Sequence, residues 1–228
     1  MRYKFVYIIL HVVILYYHSY SQNNSVMRGG VALSFDGYSV DEWYRAMQYF
    51  SVYGIRATFN LSFFHSLDYS KKEKIKLLIK VGNEVGSHSY TDSNAVIYSE
   101  KYGIDSYIDN QVLPSVRNMN KECIDPTVFA YPQGSYNPYL NMYMLQYFNV
   151  LRSTIDDSIR KGNYIYYVDP NNNNRLITGI SSDKRSKEEI LRGLEYARDN
   201  GLVLVLYGHK ILPDKNDSDM YVTDYSKL

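Results

Sequence analysis

The sequence predicts an α/β fold with a mostly parallel sheet. Three observations carry this. Short apolar runs of strand length alternate with amphipathic segments of helical period along the chain. Leu202 to Tyr207 is continuously apolar, as expected of a strand buried on both faces. Hydrophobic residues make up 45% of the 228 residues and charged residues 21%, enough for a sizeable core. An open doubly wound sheet and a closed barrel both satisfy this alternation.

The elements follow in order. Arg2 and Lys4 precede the apolar run Phe5 to Tyr17, and Ser19 and Ser21 stand at cleavage spacing. The run falls short of the roughly 20 residues that a membrane span needs. Residues 1–21 are therefore expected to be a cleaved secretory signal. Residues 22–228 are expected to form one exported domain that does not insert in a membrane. The first strand is expected over Gly30–Phe35. Ser39 and Glu42 have capping-box spacing ahead of Trp43, Met47 and Phe50, and Gly54 is the stop. Ile55–Leu61 is the next strand. Ser70 and Glu73 repeat the box ahead of Ile75, Leu78 and Ile79, with Gly82 as the stop. Thr127–Tyr131, Phe148–Leu151 and Tyr164–Val168 read as strands, and Asn171–Asn174 as an exposed loop. Ser186 and Glu189 form a third box ahead of Ile190, Leu191, Leu194 and Ala197.

Composition narrows the function. The formal net charge is +1, and the leader carries off two basic residues, so nucleic acid is not an expected partner. No Gly-rich phosphate or dinucleotide fingerprint follows the first strand. Cys123 is the single cysteine, which excludes an internal disulfide and a cysteine-rich zinc site. Any metal site must use His, Asp or Glu. The 26 tyrosines against one tryptophan suit grooves that meet sugars. Asn is abundant too, and compositional drift is the weightier reading.

In either α/β layout, function sits at the carboxyl ends of the strands. Asp36 follows the first strand, although a residue before Gly37 could equally start a turn. His88 lies in Glu84-Val85-Gly86-Ser87-His88-Ser89-Tyr90-Thr91-Asp92, where Asp92 could equally cap a helix. Tyr131 and Pro132 follow a strand, and His209 follows the last strong one. His65 has no partner in sequence and reads as structural.

Together these residues resemble the polysaccharide deacetylases, the NodB-homology family. Ser34-Phe35-Asp36-Gly37 is similar to its T/S-F-D-D-G motif. Gly82 to Asp92 is similar to G-x-E-[IV]-G-x-H-[ST]-x-x-H, and Phe129 to Asn137 to F-x-Y-P-x-G-x-Y-N. Leu202 to His209 looks like the family's late strand ending in His. The resemblance runs from about Gly29 to about Tyr221. It implies a distorted (β/α) barrel of seven to eight mostly parallel strands. It implies metal-dependent removal of acetyl groups from a polysaccharide or oligosaccharide, with a divalent ion, usually zinc.

Carried over by position, Asp36 is the general base, His88 a metal ligand and His209 the general acid. Tyr131 and Pro132 fall at the substrate and oxyanion loop. The family's second Asp falls on Gly37 and its second metal His on Asp92. Asp92 is expected to ligate through oxygen, leaving two protein ligands and a weakened ion. If Asp36 moved onto the ion, the base role would pass to a group such as Asp41. The alternative is a catalytically impaired relative that binds glycans without hydrolysis. Family members usually continue through one more helix and strand.

Overall fold

The computed structural model describes residues 29–156, 158–159, 165–214 and 221–228. The expected leader, 1–21, lies outside them. Seven parallel strands close on themselves. β1 (Gly30–Gly37) is followed around the barrel by β2 (Thr58–Leu61), β3 (Glu84–Ser87), β4 (Val128–Ala130) and β5 (Val150–Ile155). β6 (Tyr167–Val168) stands outside the ring; β7 (Leu176–Ser181) and β8 (Val203–Gly208) complete it, and β8 returns to β1. This is the distorted barrel rather than the open doubly wound sheet.

The distortion has a local cause. β8 pairs with β1 over six residues, from Gly30↔Val203 to Phe35↔Gly208, but with β7 only at Ile180↔Leu206 and Ser181↔Tyr207. The amino half of β8 is taken instead by β6, running antiparallel with Tyr167 opposite Leu204. β3 and β4 share only the pair Ser87↔Phe129. After β8, β9 (Lys210–Leu212) and β10 (Val222–Asp224) form a separate parallel pair.

Helices cover the outside: α1 (Val40–Tyr53), α2 (Tyr69–Lys80), α3 (Ala95–Tyr102), α4 (Ile104–Tyr107), α5 (Leu113–Asn120), α6 (Pro138–Met144) and α7 (Lys187–Asn200). A π-helical turn, Ile108–Val112, joins α4 to α5. The core under α1 and α2 is aromatic. Phe35, Trp43, Phe50 and Phe59 are all buried, and Trp43 lies 5.1 Å from Phe59, ring to ring. Each such ring contributes about 1.5–3 kcal/mol of hydrophobic burial. Trp43 Nε1 also donates to the His209 carbonyl at 2.6 Å, so the same residue anchors the end of β8.

Several expected elements shift. Ser39 stands at the start of α1, but its side chain accepts no capping bond. α2 starts earlier than expected, because Asp68 accepts from the Lys71 N–H and Ser70 falls inside the helix. Only Ser186 caps as expected, accepting from the Glu189 N–H at 3.2 Å. The Glu189 carboxylate turns away to the Ile159 N–H. Ile79 and Leu191, which follow the second and third boxes, are exposed. Asn171–Asn174 is the exposed loop expected.

Candidate active site

The strand ends place the chemistry. Asp36 is the penultimate residue of β1, and its carboxylate is buried at 3% exposure. One oxygen accepts from Asn60 Nδ2 on β2 at 3.0 Å. The other is hydrogen-bonded to Arg152 Nη2 on β5, a residue only 2% exposed. Burial works to raise the Asp36 pKa. The charges of Arg152, His88 and His209 and the Asn60 hydrogen bond outweigh it, so the carboxyl is held below its ordinary value. Asp36 is therefore an ionised acceptor at neutral pH. The Arg152 guanidinium also lies 5.0 Å from the Tyr207 ring. No sequence motif marked Arg152. The parallel pairing of β4 and β5, with Ala130 opposite Arg152, brings it to this end of the barrel.

His88 follows β3 and is buried. Its Nδ1 contacts the Ala130 carbonyl at 2.8 Å, as it does when it carries the proton, and this turns Nε2 toward the cleft. Burial lowers its pKa against the attraction of Asp36 and Asp92, which favours the neutral ring. Nε2 lies 3.3 Å from Asp92 Oδ1. Asp92 is half exposed, and its pKa is raised by burial and by Asp36, against His88. Asp92 does not cap the next helix; Asn94 does, accepting from Ile97. Asp92 sits in the left-handed region at φ 57, as do nearby Ser89 at 65 and Gln133 at 56. Such residues collect at functional loops.

His209 follows β8, and its Nδ1 contacts Asp183 Oδ2 at 2.6 Å. Burial opposes its charge. The Asp183 hydrogen bond and the charges of Asp36 and Asp183 prevail, so its pKa is raised. Asp183 is 1% exposed and also accepts from Thr223 on β10 at 2.5 Å. A Cβ on Gly208 would stand 2.9 Å from Asp183 Oδ1 and 2.5 Å from Thr223 Oγ1, so only glycine admits this contact. Sequence reasoning missed Asp183, which stands alone after β7 in no recognised motif.

Asp36, Gly37, His88, Asp92, Tyr131 and His209 line one cleft of about 720 Å³ at the carboxyl end of the barrel. Tyr131 is buried, with its hydroxyl donating to Asn141 Oδ1 at 2.8 Å. Its own N–H donates to the Arg152 carbonyl, so that amide is not an oxyanion donor. Pro132 has no N–H and is buried below the turn rather than lining the cleft. Gln133 is the turn residue beside Gly134 that reaches the cleft. Asp41 points elsewhere and pairs with Lys74 at 2.5 Å, so it is no substitute base.

A divalent ion can be tested against the donors present. Two ligands of a tetrahedral zinc, each about 2.0–2.1 Å from it, lie about 3.3–3.4 Å apart. His88 Nε2 and Asp92 Oδ1 lie 3.3 Å apart, one nitrogen and one oxygen. The pair fits two positions of such an ion. Gly37 offers no side chain for a third position, and the Asp36 carboxylate is held by Asn60 and Arg152. Among the described residues no group of three His, Cys, Asp or Glu is placed to hold a metal.

Residues 23–147 match the family model for polysaccharide deacetylase. The chain belongs to the polysaccharide deacetylase family. Solved structures agree on the fold. A family 4 carbohydrate esterase from Streptomyces lividans, in complex with acetate, is 18% identical, with 79% of each chain covered and a TM-score of 0.50. A family 4 acetyl xylan esterase from Clostridium thermocellum, in complex with a cobalt ion, is 18% identical. That match covers 82% of this chain and 77% of that one, with a TM-score of 0.50. A family pseudoenzyme from Bacillus anthracis is 15% identical, with 79% and 55% covered and a TM-score of 0.51. No curated protein is matched. This member of the family thus has the barrel.

Proposed function

We propose that this deacetylase-family protein hydrolyses acetyl groups from an acetylated polysaccharide or oligosaccharide, with Asp36 as base and His209 as acid. One observation carries the reading. Asp36 and His209 line the same cleft, each paired from behind by a buried group, Arg152 and Asp183, and their surroundings favour a charged carboxylate and a protonatable imidazole. Asp36 takes a proton from water as its oxygen forms a bond to the acetyl carbonyl carbon. The tetrahedral oxyanion then collapses. The C–N or C–O bond breaks as His209 gives a proton to the leaving sugar amine or hydroxyl; acetic acid departs and ionises in solvent, and the proton held by Asp36 returns through water to His209. Asp183 holds the His209 ring and favours its charged form. Arg152 keeps Asp36 ionised.

His88 and Asp92 would hold a divalent ion, with zinc the first choice for a His/Asp pair. When bound, it supplies carbonyl polarisation and a more acidic water. With two protein donors it is held more weakly than a three-ligand catalytic zinc. The leader 1–21 would export the domain 22–228 to acetylated polysaccharide outside the cytoplasm.

A second reading, glycan binding without hydrolysis, is favoured by Gly37 and Asp92, which stand where the family resemblance expects an Asp and a His ligand. Acetate release from an acetylated β-1,4 N-acetylglucosamine tetramer and from acetylated xylan, with zinc present, separates the two. Release that falls about 10²- to 10⁴-fold in Asp36→Asn supports hydrolysis. Saccharide binding with no acetate release selects the second reading.

A further inference from the structure

The acid half of the site is held from beyond the barrel. Thr223 lies on β10, opposite Ile211 of β9, and is fully buried. Its hydroxyl donates to Asp183 Oδ1 at 2.5 Å, while Asp183 Oδ2 meets His209 Nδ1 at 2.6 Å. The direction is fixed, because an ionised carboxylate only accepts and threonine has one hydroxyl proton to give. Ser182 Oγ lies 2.8 Å from Thr223 Oγ1 and donates to the Tyr207 carbonyl at 2.9 Å. The segment is pinned here a second time. Lys227 Nζ donates to the Ser182 carbonyl at 3.3 Å and pairs with Asp224 at 3.6 Å. Gly208 leaves the room, since a Cβ there would stand 2.5 Å from Thr223 Oγ1 and 2.8 Å from Ser182 Oγ.

Packing alone does not ask for this hydroxyl. Valine has nearly the same shape, and a buried polar group costs free energy unless its hydrogen bond is made. The bond goes to the carboxylate that grips the imidazole.

We propose that Thr223 is a positioning residue for the general acid: it takes up part of the Asp183 charge and so sets how firmly His209 keeps its proton. A general acid works best when its proton affinity suits the working pH. A buried carboxylate with less of its charge satisfied would hold the imidazolium more tightly and make it a poorer donor. A hydrogen bond on its other oxygen spreads that charge. The proposal rests on the hydrolase reading for its purpose, but the network it describes can be read without turnover.

Other groups also act on His209. Asp36 on β1, Arg152 on β5 and Asp92 after β3 reach it through space, and the Tyr207 and Tyr221 rings pack edge-on to it at 5.9 and 5.0 Å. Lys184 and Lys210 line the same cleft. Thr223→Val keeps all of these side chains.

The test is an NMR titration of the His209 imidazole in the purified protein, its resonance assigned by its loss in His209→Asn. Thr223→Val raises the proton affinity of His209 about three- to tenfold, the share of one hydrogen bond. Thr223→Ser restores the wild-type titration. The alkaline limb of acetate release moves the same way, opposite to the effect of Asp183→Asn. A melting curve establishes that each variant is folded. Thr223→Ala lacks the same donor and repeats the measurement where valine is not tolerated. A folded valine or alanine variant in which His209 titrates as in wild type, or lower, overturns the proposal. So does a raised titration that Thr223→Ser does not reverse. The expected titrations without any acetate release uphold the role of Thr223 and overturn the hydrolase reading alone.

Discussion

Arg152→Met separates a functional ion pair from a packing contact. Arg152 and Asp36 are 2% and 3% exposed, so solvent does little to screen the charge left behind. Breaking one side of a buried pair costs about 3–5 kcal/mol, because the remaining ion is desolvated and uncompensated. At roughly 2–4 °C per kcal/mol for a domain of this size, the melting temperature falls by about 6–20 °C. The sign with pH follows from Asp36. Its folded pKa is lowered, so the pair stabilises above the unfolded carboxylate pKa and that contribution fades as pH falls through the folded one. Without Arg152, burial becomes the dominant influence and pushes the carboxyl up. The variant's deficit therefore shrinks as pH falls from neutrality and Asp36 takes up a proton. Urea unfolding followed by the fluorescence of Trp43, the single and fully buried tryptophan, reads this directly. Asp36→Asn added to Arg152→Met should recover part of the loss, as expected of coupled neighbours. A deficit under about 1 kcal/mol that does not change with pH would place the pair with weak surface bridges and refute the reasoning.

Two further outcomes are expected. In zinc titrations, His88→Ala abolishes specific binding and Asp92→Ala weakens it by about tenfold or more, while Asp92→His retains it; unchanged affinity in Asp92→Ala would sink the two-donor site. In pH–rate profiles, the alkaline limb lies above the ordinary imidazole value, because Asp183 and Asp36 raise the His209 pKa against burial. Asp183→Asn moves that limb toward acid, and a limb that stays in place removes Asp183 from the mechanism. The same raised pKa stabilises the fold below the unfolded histidine value and is lost as pH rises through the folded one.

What was legible in the sequence depended on whether the signal was local. Apolar runs placed β1 and β8 because a strand buried on both faces has a pattern of its own. β7 escaped notice: Thr178 and Gly179 interrupt its apolar character, and its pairing with β5 is long-range. The capping boxes at Ser39 and Ser70 had the right letters, but a cap is decided by backbone angles. Asp68, extended at φ −69 and ψ 168, took the role at α2. The same division runs through the site. Asp36, His88, Asp92 and His209 each sit in a contiguous motif, and the barrel brings them to one cleft. Arg152 and Asp183 have no local motif. Arg152 matters because parallel register sets it beside Ala130 and across the barrel from Asp36; Asp183 matters because β7 and β8 meet only at their carboxyl ends. Their partners are 116 and 26 residues away, so their roles exist only once the barrel has closed. That closure also gives Gly37 its weight. At φ 108 it holds a backbone that L side chains rarely adopt, with open space where a Cβ would be. A carboxylate at position 37 is therefore a matter of turn conformation as well as of side chain, and adding Asp alone there would strain the turn before it supplied a ligand.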